Sequence, residues 1–378
     1  MAKYRLNIMY VIDKLETNYP RDQNYIVKYM SEKGHDIIVI TSYDRNFAKY
    51  DSKAFSNNVK IYRCPRIGNI GKATVFIPKK SGLSSEFDVL HAFTFFTYSS
   101  IIAPFLYDSR LRVLRSEVMY PGSMNFHKAR KQYYILNLMY RRLYDFVTAY
   151  NVVEAKSLEM LGFPRGRICL LPIMIDWNKF HSCIKSFEHD EIVIGTIARL
   201  SPEKGVHRLP KIMYLLKNLL EETKRKYRFV LAGRIENKKL SKLVIKKLKE
   251  ILREKFEYLG EIAPPYPFYK KVDIVLIPSL TETGAITVLE AMAAGKVVIA
   301  SDIYPINLYI QDRVSGFLFR NEHEAAKILS EILRGKYSIQ TLQSKAINYA
   351  KRHDYNTICA KLENIYYKGL SSKHSKKR

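Results

Sequence analysis

Residues 273–301 read DIVLIPSLTETGAITVLEAMAAGKVVIAS. DIVLIPS is an apolar run of strand length, SLTETG is a polar loop, AITVLEAMAA has the length and composition of a buried helix, and KVVIAS returns to a strand. Strand, loop, helix and strand in that order make a βαβ unit with parallel strands. Ligands of such sheets sit at the carboxyl ends of the strands, which is where SLTETG falls.

The same alternation runs through the rest of the chain. LNIMYVID, QNYIVKYMSEKGH and DIIVITS form a βαβ unit near the start, with Gly34 closing the helix. VKIYRCP, FDVLHAF, RVLRSEV and FVTAY follow as further strands. Pro172 ends this pattern, and a poorly periodic stretch leads to EIVIGTIARL, where the alternation restarts through HRLPKIMYLLKNLL, YRFVLAG and SKLVIKKLKEILREKF. In the last of these, Leu243, Val244, Leu248, Ile251 and Leu252 are taken as the buried face of a helix. The expected division is a Rossmann-like domain over 1–172, joined by a C-terminal helix at about 355–370, a second Rossmann-like domain over 173–354, and a basic tail at 371–378.

At 378 residues and 47% hydrophobic, the chain can fill two cores, which excludes the disordered and fibrous classes. Its four cysteines lack CxxC spacing, so neither a zinc site nor a disulfide framework is expected, and a reducing cytoplasm suits them. The amino-terminal apolar run stops at Asp13 and reads as a strand rather than a secretory signal. His91 to Tyr107 has no Asp, Glu, Lys or Arg, yet its Thr, Ser and Tyr content suits a buried helix better than a membrane span. A formal net charge of +27 favours polyanionic partners or anionic lipid headgroups. His127 to Phe146 interleaves aromatic and basic residues, a pattern that fits either a membrane-surface helix or a core helix with a solvated basic face.

Glu282 and Glu290 stand eight positions apart around the start of the AITVLEAMAA helix. That spacing does not keep both on one contact face, so they suit different parts of one extended ligand. A carboxylate accepts hydrogen bonds from paired hydroxyls such as those of a ribose or hexose, and the helix amides near Gly284 and Ala285 suit a phosphate. The plain alternative is that Glu282 complements the helix dipole and Glu290 pairs with a lysine. GTIARLSPEKG adds Arg199 and Lys204 at the carboxyl end of another strand, as a diphosphate leaving group requires.

ARLSPEKG together with PSLTETGAITVLEAMAAGKVVIAS resembles the diphosphate loop and paired-glutamate motif of glycosyltransferase family 4. These are retaining enzymes of the GT-B fold, in which two Rossmann-like doubly wound α/β domains face each other across a cleft. SEKGHDIIVIT, FDVLHAF, LLPIMIDWNKF, FVLAG and YLGEI occur in the family's order. The resemblance implies that Arg199 and Lys204 hold the diphosphate of a nucleotide sugar, that Glu290 binds the ribose, and that Glu282 contacts the transferred hexose. Gly284, Ala285 and Ile286 would offer backbone amides, and the backbone at Glu261 and Ile262 would lie near the base. No metal and no separate cofactor are implied, the nucleotide-diphosphate sugar being a substrate. Domain closure is a further expectation, because the diphosphate half and the acceptor half must meet around the reacting carbon and exclude water, with the linker near Ile173 to Asp190 as one hinge strand.

Three departures stand out. The family's usual glycine is replaced by Ala285, its glycine pair after the first strand by a segment carrying Arg21 and Asp22, and a histidine of the acceptor half by Ser116 and Glu117. Glu117 is accordingly a candidate catalytic residue, with pairing to Arg115 as the alternative. His91 reads as a satisfied histidine at a strand end. The expected acceptor is a lipid-linked or phosphate-bearing glycan, handled by a peripheral enzyme at the cytoplasmic face of an anionic membrane in surface-glycan or N-glycan precursor assembly. The rival readings are a nucleotide-sugar epimerase on the same fold and a basic nucleic-acid-binding protein, although no recognised nucleic-acid motif is present.

Overall fold

The computed structural model describes residues 4–17, 21–70, 73–79, 82–83, 86–93, 97–116, 138–187, 191–221 and 226–375. The chain forms two compact units, one of Met1–Met174 with Tyr355–Arg378 and one of Ile175–Asp354.

The first unit holds β1 (Asn7–Ile12), β2 (Asp36–Ser42), β3 (Val59–Cys64), a small antiparallel pair β4 (Gly68–Ile70) and β5 (Ala73–Val75), then β6 (Glu86–Phe93), β7 (Asp108–Arg115), β8 (Phe146–Ala149) and β9 (Ile168–Leu170). Its main sheet has the order β3-β2-β1-β6-β7-β8-β9, with parallel pairing throughout. Successive residues of β1 face opposite sides of the sheet. Tyr10 and Ile12 join a core with helices Asp22–Glu32 and Tyr355–Ser375, whereas Met9 and Val11 join one with Ala103, Tyr140 and Leu158.

The last helix runs through Ser375, so the expected tail at 371–378 begins as helix rather than as a separate segment. Leu370 is buried and Lys373 pairs with Asp145 at 2.7 Å, which carries the helix past its expected end. Of the basic and aromatic run His127 to Phe146, residues 127–137 lie outside the described residues. In the remainder Tyr140 and Tyr144 are core side chains. The apolar stretch after β6 forms the short helix Tyr98–Leu106, and among the described residues no helix is long and apolar enough to cross a membrane.

The second unit holds β10 (Glu191–Ile197), β11 (Lys226–Ala232), β12 (Phe256–Tyr258), β13 (Ile274–Ile277), β14 (Val297–Ser301) and β15 (Phe317–Phe319), in the parallel order β12-β11-β10-β13-β14-β15. Ile194, Leu231, Leu276 and Ile299 pack under helices Leu209–Leu219, Lys238–Leu252 and Glu322–Leu333. Helix Lys238–Leu252 buries Val244, Leu248 and Leu252 but leaves Leu243 at 50% exposure. Leu243 precedes Val244 by one position, about 100° around the helix, and so turns away from the stripe it was expected to join. From β10 the chain moves outward to β11 and β12, then returns beside β10 as β13 and proceeds the other way. The gap between β10 and β13 is therefore the topological switch point, where such sheets take ligands.

Candidate active site

Two loops meet at the carboxyl ends of β10 and β13. Gly205 adopts φ 65, and a Cβ there would overlap the Pro278 carbonyl oxygen. Only glycine combines that left-handed backbone with so close an approach. The contact is zipped by the Glu203 carbonyl, which accepts from the Leu280 N–H at 2.9 Å and the Thr281 N–H at 3.3 Å.

This closure joins the two motif clusters, which are 78 residues apart in sequence. Lys204 Nζ donates to both oxygens of Glu282, at 2.8 and 2.7 Å, and Ser279 Oγ donates to Oε1 at 2.7 Å. The Glu282 side chain is only 9% exposed, so this ion pair is screened little by water. Arg199 lies further out and pairs with Glu236 and, at 3.2 Å, with Glu203. Both cations expected to hold a diphosphate therefore carry carboxylate partners. Glu236 had no spacing signal; its one cue was a carboxylate in GRIEN, just past the strand YRFVLAG.

Helix Ile286–Ala293 starts beside this cluster, and among the described residues no side chain caps its amino end. The residue in the left-handed region is Ala285, at φ 49 and ψ 41, rather than Gly284. Glu290, about one turn along, is 6% exposed and accepts from the Tyr269 hydroxyl at 2.8 Å. Burial, and then the Glu290 carboxylate, push the Tyr269 phenol well above its ordinary pKa, so it stays a donor. The loop with Glu261 and Ile262 follows β12 at the same end of the sheet. It is tied down where the Gly233 N–H donates to the Gly260 carbonyl at 2.7 Å and the Tyr258 hydroxyl to the Gly233 carbonyl at 2.8 Å. A Cβ on Gly233 would overlap the Ala198 carbonyl, so the ends of β10, β11 and β12 close up only around glycine. A depression of about 480 Å³ opens beside Ser279 and Leu280, lined also by Arg208, Ser301, Asp302 and Arg320.

In the first unit, Glu117 lies outside the described residues. Ser116 is buried and donates to Glu154 at 3.0 Å. Asp22 is buried in an ion pair with Arg115 and accepts from the Met174 N–H at 3.3 Å, which makes it a structural clamp of the sheet's carboxyl edge. Arg21 reaches Glu16 at 3.0 Å on the surface. His91 is fully buried, with Nδ1 2.6 Å from the Tyr366 hydroxyl; burial, reinforced by Arg115, holds its pKa well below the usual value and keeps it neutral.

Two Rossmann-like parallel-sheet domains, the second carrying its polar cluster at the switch point, define the GT-B architecture. The chain superimposes on Anabaena Alr3699/HepE in complex with UDP and glucose with a TM-score of 0.74, at 17% identity, over 96% of this chain and 100% of that one. Residues 180–353 match the family model of glycosyl transferases group 1. The chain is 25% identical over 258 residues to the N,N'-diacetylbacillosaminyl-diphospho-undecaprenol alpha-1,3-N-acetylgalactosaminyltransferase of Campylobacter jejuni, covering 63% of this chain and 65% of that one. It is 28% identical over 190 residues to the alpha-monoglucosyldiacylglycerol synthase of Streptococcus pneumoniae, covering 48% and 42%. The matches thus span less than two thirds of the length of these relatives. The similarity to the group 1 glycosyl transferases lies within the second unit, and the fold of the whole chain is that of GT-B proteins.

Proposed function

We propose that this protein is a retaining glycosyltransferase that moves a hexose-type sugar from a nucleotide-diphosphate sugar onto a glycan acceptor carried on a lipid. The observation that carries this reading is the assembly of Lys204, Glu282 and Ser279 beside the start of helix Ile286–Ala293, with Glu290 buried about one turn further on. A diphosphate entering there would draw Lys204 and Arg199 from their carboxylate partners and rest on the amides at Gly284, Ala285 and Ile286. Glu282, freed from Lys204, would accept from hydroxyls of the sugar, while Glu290 would take the ribose and the backbone at Ile262 would border the base.

In the reaction the bond from the anomeric carbon to the phosphate oxygen breaks and its electron pair goes to the diphosphate. Lys204, Arg199 and the helix amides stabilise that growing charge without a metal ion. The acceptor hydroxyl attacks from the same face and gives its proton to a phosphate oxygen, so the anomeric configuration is kept. By their names, one of the two relatives acts on a diphospho-undecaprenol-linked sugar and the other makes alpha-monoglucosyldiacylglycerol, which supports a lipid-borne acceptor. A net charge of +27 supports work at an anionic membrane surface, at its cytoplasmic face.

The test is a transfer assay with UDP- and GDP-hexoses against undecaprenyl-diphosphate-linked and diacylglycerol-linked sugars, the product's anomeric configuration being read by NMR. Transfer with retention, lost in Glu282→Gln, is expected. Inversion, or a changed free nucleotide sugar with no acceptor present, would contradict the proposal.

A further inference from the structure

Tyr269 is a fully buried side chain whose hydroxyl meets Glu290 at 2.8 Å. It sits on the short helix Tyr266–Lys271, which leads into β13. Its ring packs edge-to-face on Phe180 and on Phe268, each at a centroid distance of 5.4 Å. The phenol oxygen is therefore held by rigid aromatic packing rather than by a mobile loop.

The partner is of the opposite kind. The terminal torsion of a glutamate is soft, with no sharp staggered wells, so a carboxylate at the end of such a chain turns easily. Recognition of two neighbouring hydroxyls needs that carboxylate in one orientation, because both must meet its oxygens at once. A fixed donor on Oε2 supplies that orientation.

We infer that Tyr269 is a positioning residue that sets the Glu290 carboxylate to take a vicinal diol, and that it thereby makes the site select ribose over 2′-deoxyribose in the donor nucleotide. The inference rests on the proposed role of Glu290 and goes one step beyond it. A buried tyrosine also needs a hydrogen-bond partner simply to be stable, so loss of stability on mutation says nothing for or against selection. The informative quantity is the ratio of affinities for a ribonucleotide and its 2′-deoxy counterpart, which a merely structural phenol would leave unchanged.

The experiment is isothermal titration of UDP and 2′-deoxy-UDP, with GDP and 2′-deoxy-GDP as a second pair, into the full chain, Tyr269→Phe, Glu290→Gln and the double variant. Phenylalanine keeps the ring packing and removes only the hydroxyl. The wild type should prefer the ribonucleotide at least tenfold. Tyr269→Phe should weaken that ligand about five- to twentyfold and barely touch the deoxy one, bringing the ratio towards unity. The double variant should show no ratio lower than Glu290→Gln alone, since both changes remove one device. A wild-type ratio in Tyr269→Phe, with a lost ratio in Glu290→Gln, would overturn this inference and leave the proposed function standing. No binding of any nucleotide to the wild type, or no effect of Glu290→Gln, would overturn both. If Tyr269→Phe melts too low for titration, its melting temperature with each ribonucleotide and its 2′-deoxy counterpart reads the same ratio: equal shifts support the inference, and a wild-type difference between them overturns it.

Discussion

Ala285 holds a backbone conformation that glycine takes without strain, and it does so where the second unit offers its helix amides. Ala285→Gly is therefore expected to stabilise the protein by roughly 0.5–1 kcal/mol in chemical denaturation, because relief of the left-handed strain outweighs the added freedom of the unfolded chain. An unchanged or lowered stability would mean that the methyl group, which is buried, contributes more by packing than the strain takes away. At this scale the sequence was informative wherever chemistry had a spacing. Glu282, Glu290, Arg199 and Lys204 stood out as charged residues beside strand ends and glycines. Their direct pairing, Lys204 to Glu282, had no signature, since it depends on the approach of two loops 78 residues apart. Tyr269 and Ser279 escaped for the same reason: an aromatic in a short helix and a serine after a proline are ordinary until their partners are seen.

At the scale of elements, the closeness of loop to loop depends on Gly205. Gly205→Ala puts a methyl group onto the Pro278 carbonyl in a backbone region that disfavours side chains, and is expected to cost at least 3 kcal/mol and to abolish nucleotide binding together with stability. Thermal denaturation and titration on the same sample check both. At the other end of the sheet, Lys296 is 2% exposed and donates to the Cys183 carbonyl at 3.0 Å. Burial, and then neighbouring Lys185, lower its pKa from 10.5 to about 8. Below pH 8 both states hold the proton and the folded state bears the penalty of a buried charge. Between pH 8 and 10.5 the unfolded chain binds more protons than the native one, so the contribution of Lys296 to stability rises with pH. From pH 8 to 9.5 that gain is about 2 kcal/mol. Urea titrations of the wild type and Lys296→Met at pH 7.5 and 9.5 test it: the wild type should gain stability relative to the variant at the higher pH, and a constant difference would contradict the assignment. Element boundaries were less legible than element types. β9 went unread as a three-residue strand, and the last helix outran its apolar pattern because Lys373 finds Asp145.

Across the whole molecule, the chain completes its first unit last. Ile358, Leu362 and Tyr366 are fully buried against β1 and β6, so the sheet formed by the first 174 residues lacks one covering helix until residue 355 is reached. Deleting residues 355–378 should remove the calorimetric transition of the first unit and leave that of the second, whose residues all lie before 355. Loss of both transitions would show that the second unit needs the first to fold. The doubly wound pattern was readable from sequence because parallel strands covered on both faces are nearly continuous apolar runs, as IVLI and VVIAS are here. The acceptor had no such signal, because the half expected to bind it departs from the family pattern at Glu117 and sugar-acceptor recognition has no fixed spacing. The most direct test of the central claim, a nucleotide-sugar site at the switch point of the second unit, is the melting temperature of the full chain with UDP, GDP, ADP and dTDP beside Glu290→Ala. At about a thousand times the dissociation constant, a bound nucleotide adds roughly 4 kcal/mol, a shift of roughly 8–16 °C for a unit of this size. A shift with one nucleotide, abolished in Glu290→Ala, is the predicted result; no shift with any of the four, or an equal shift in the variant, would contradict it.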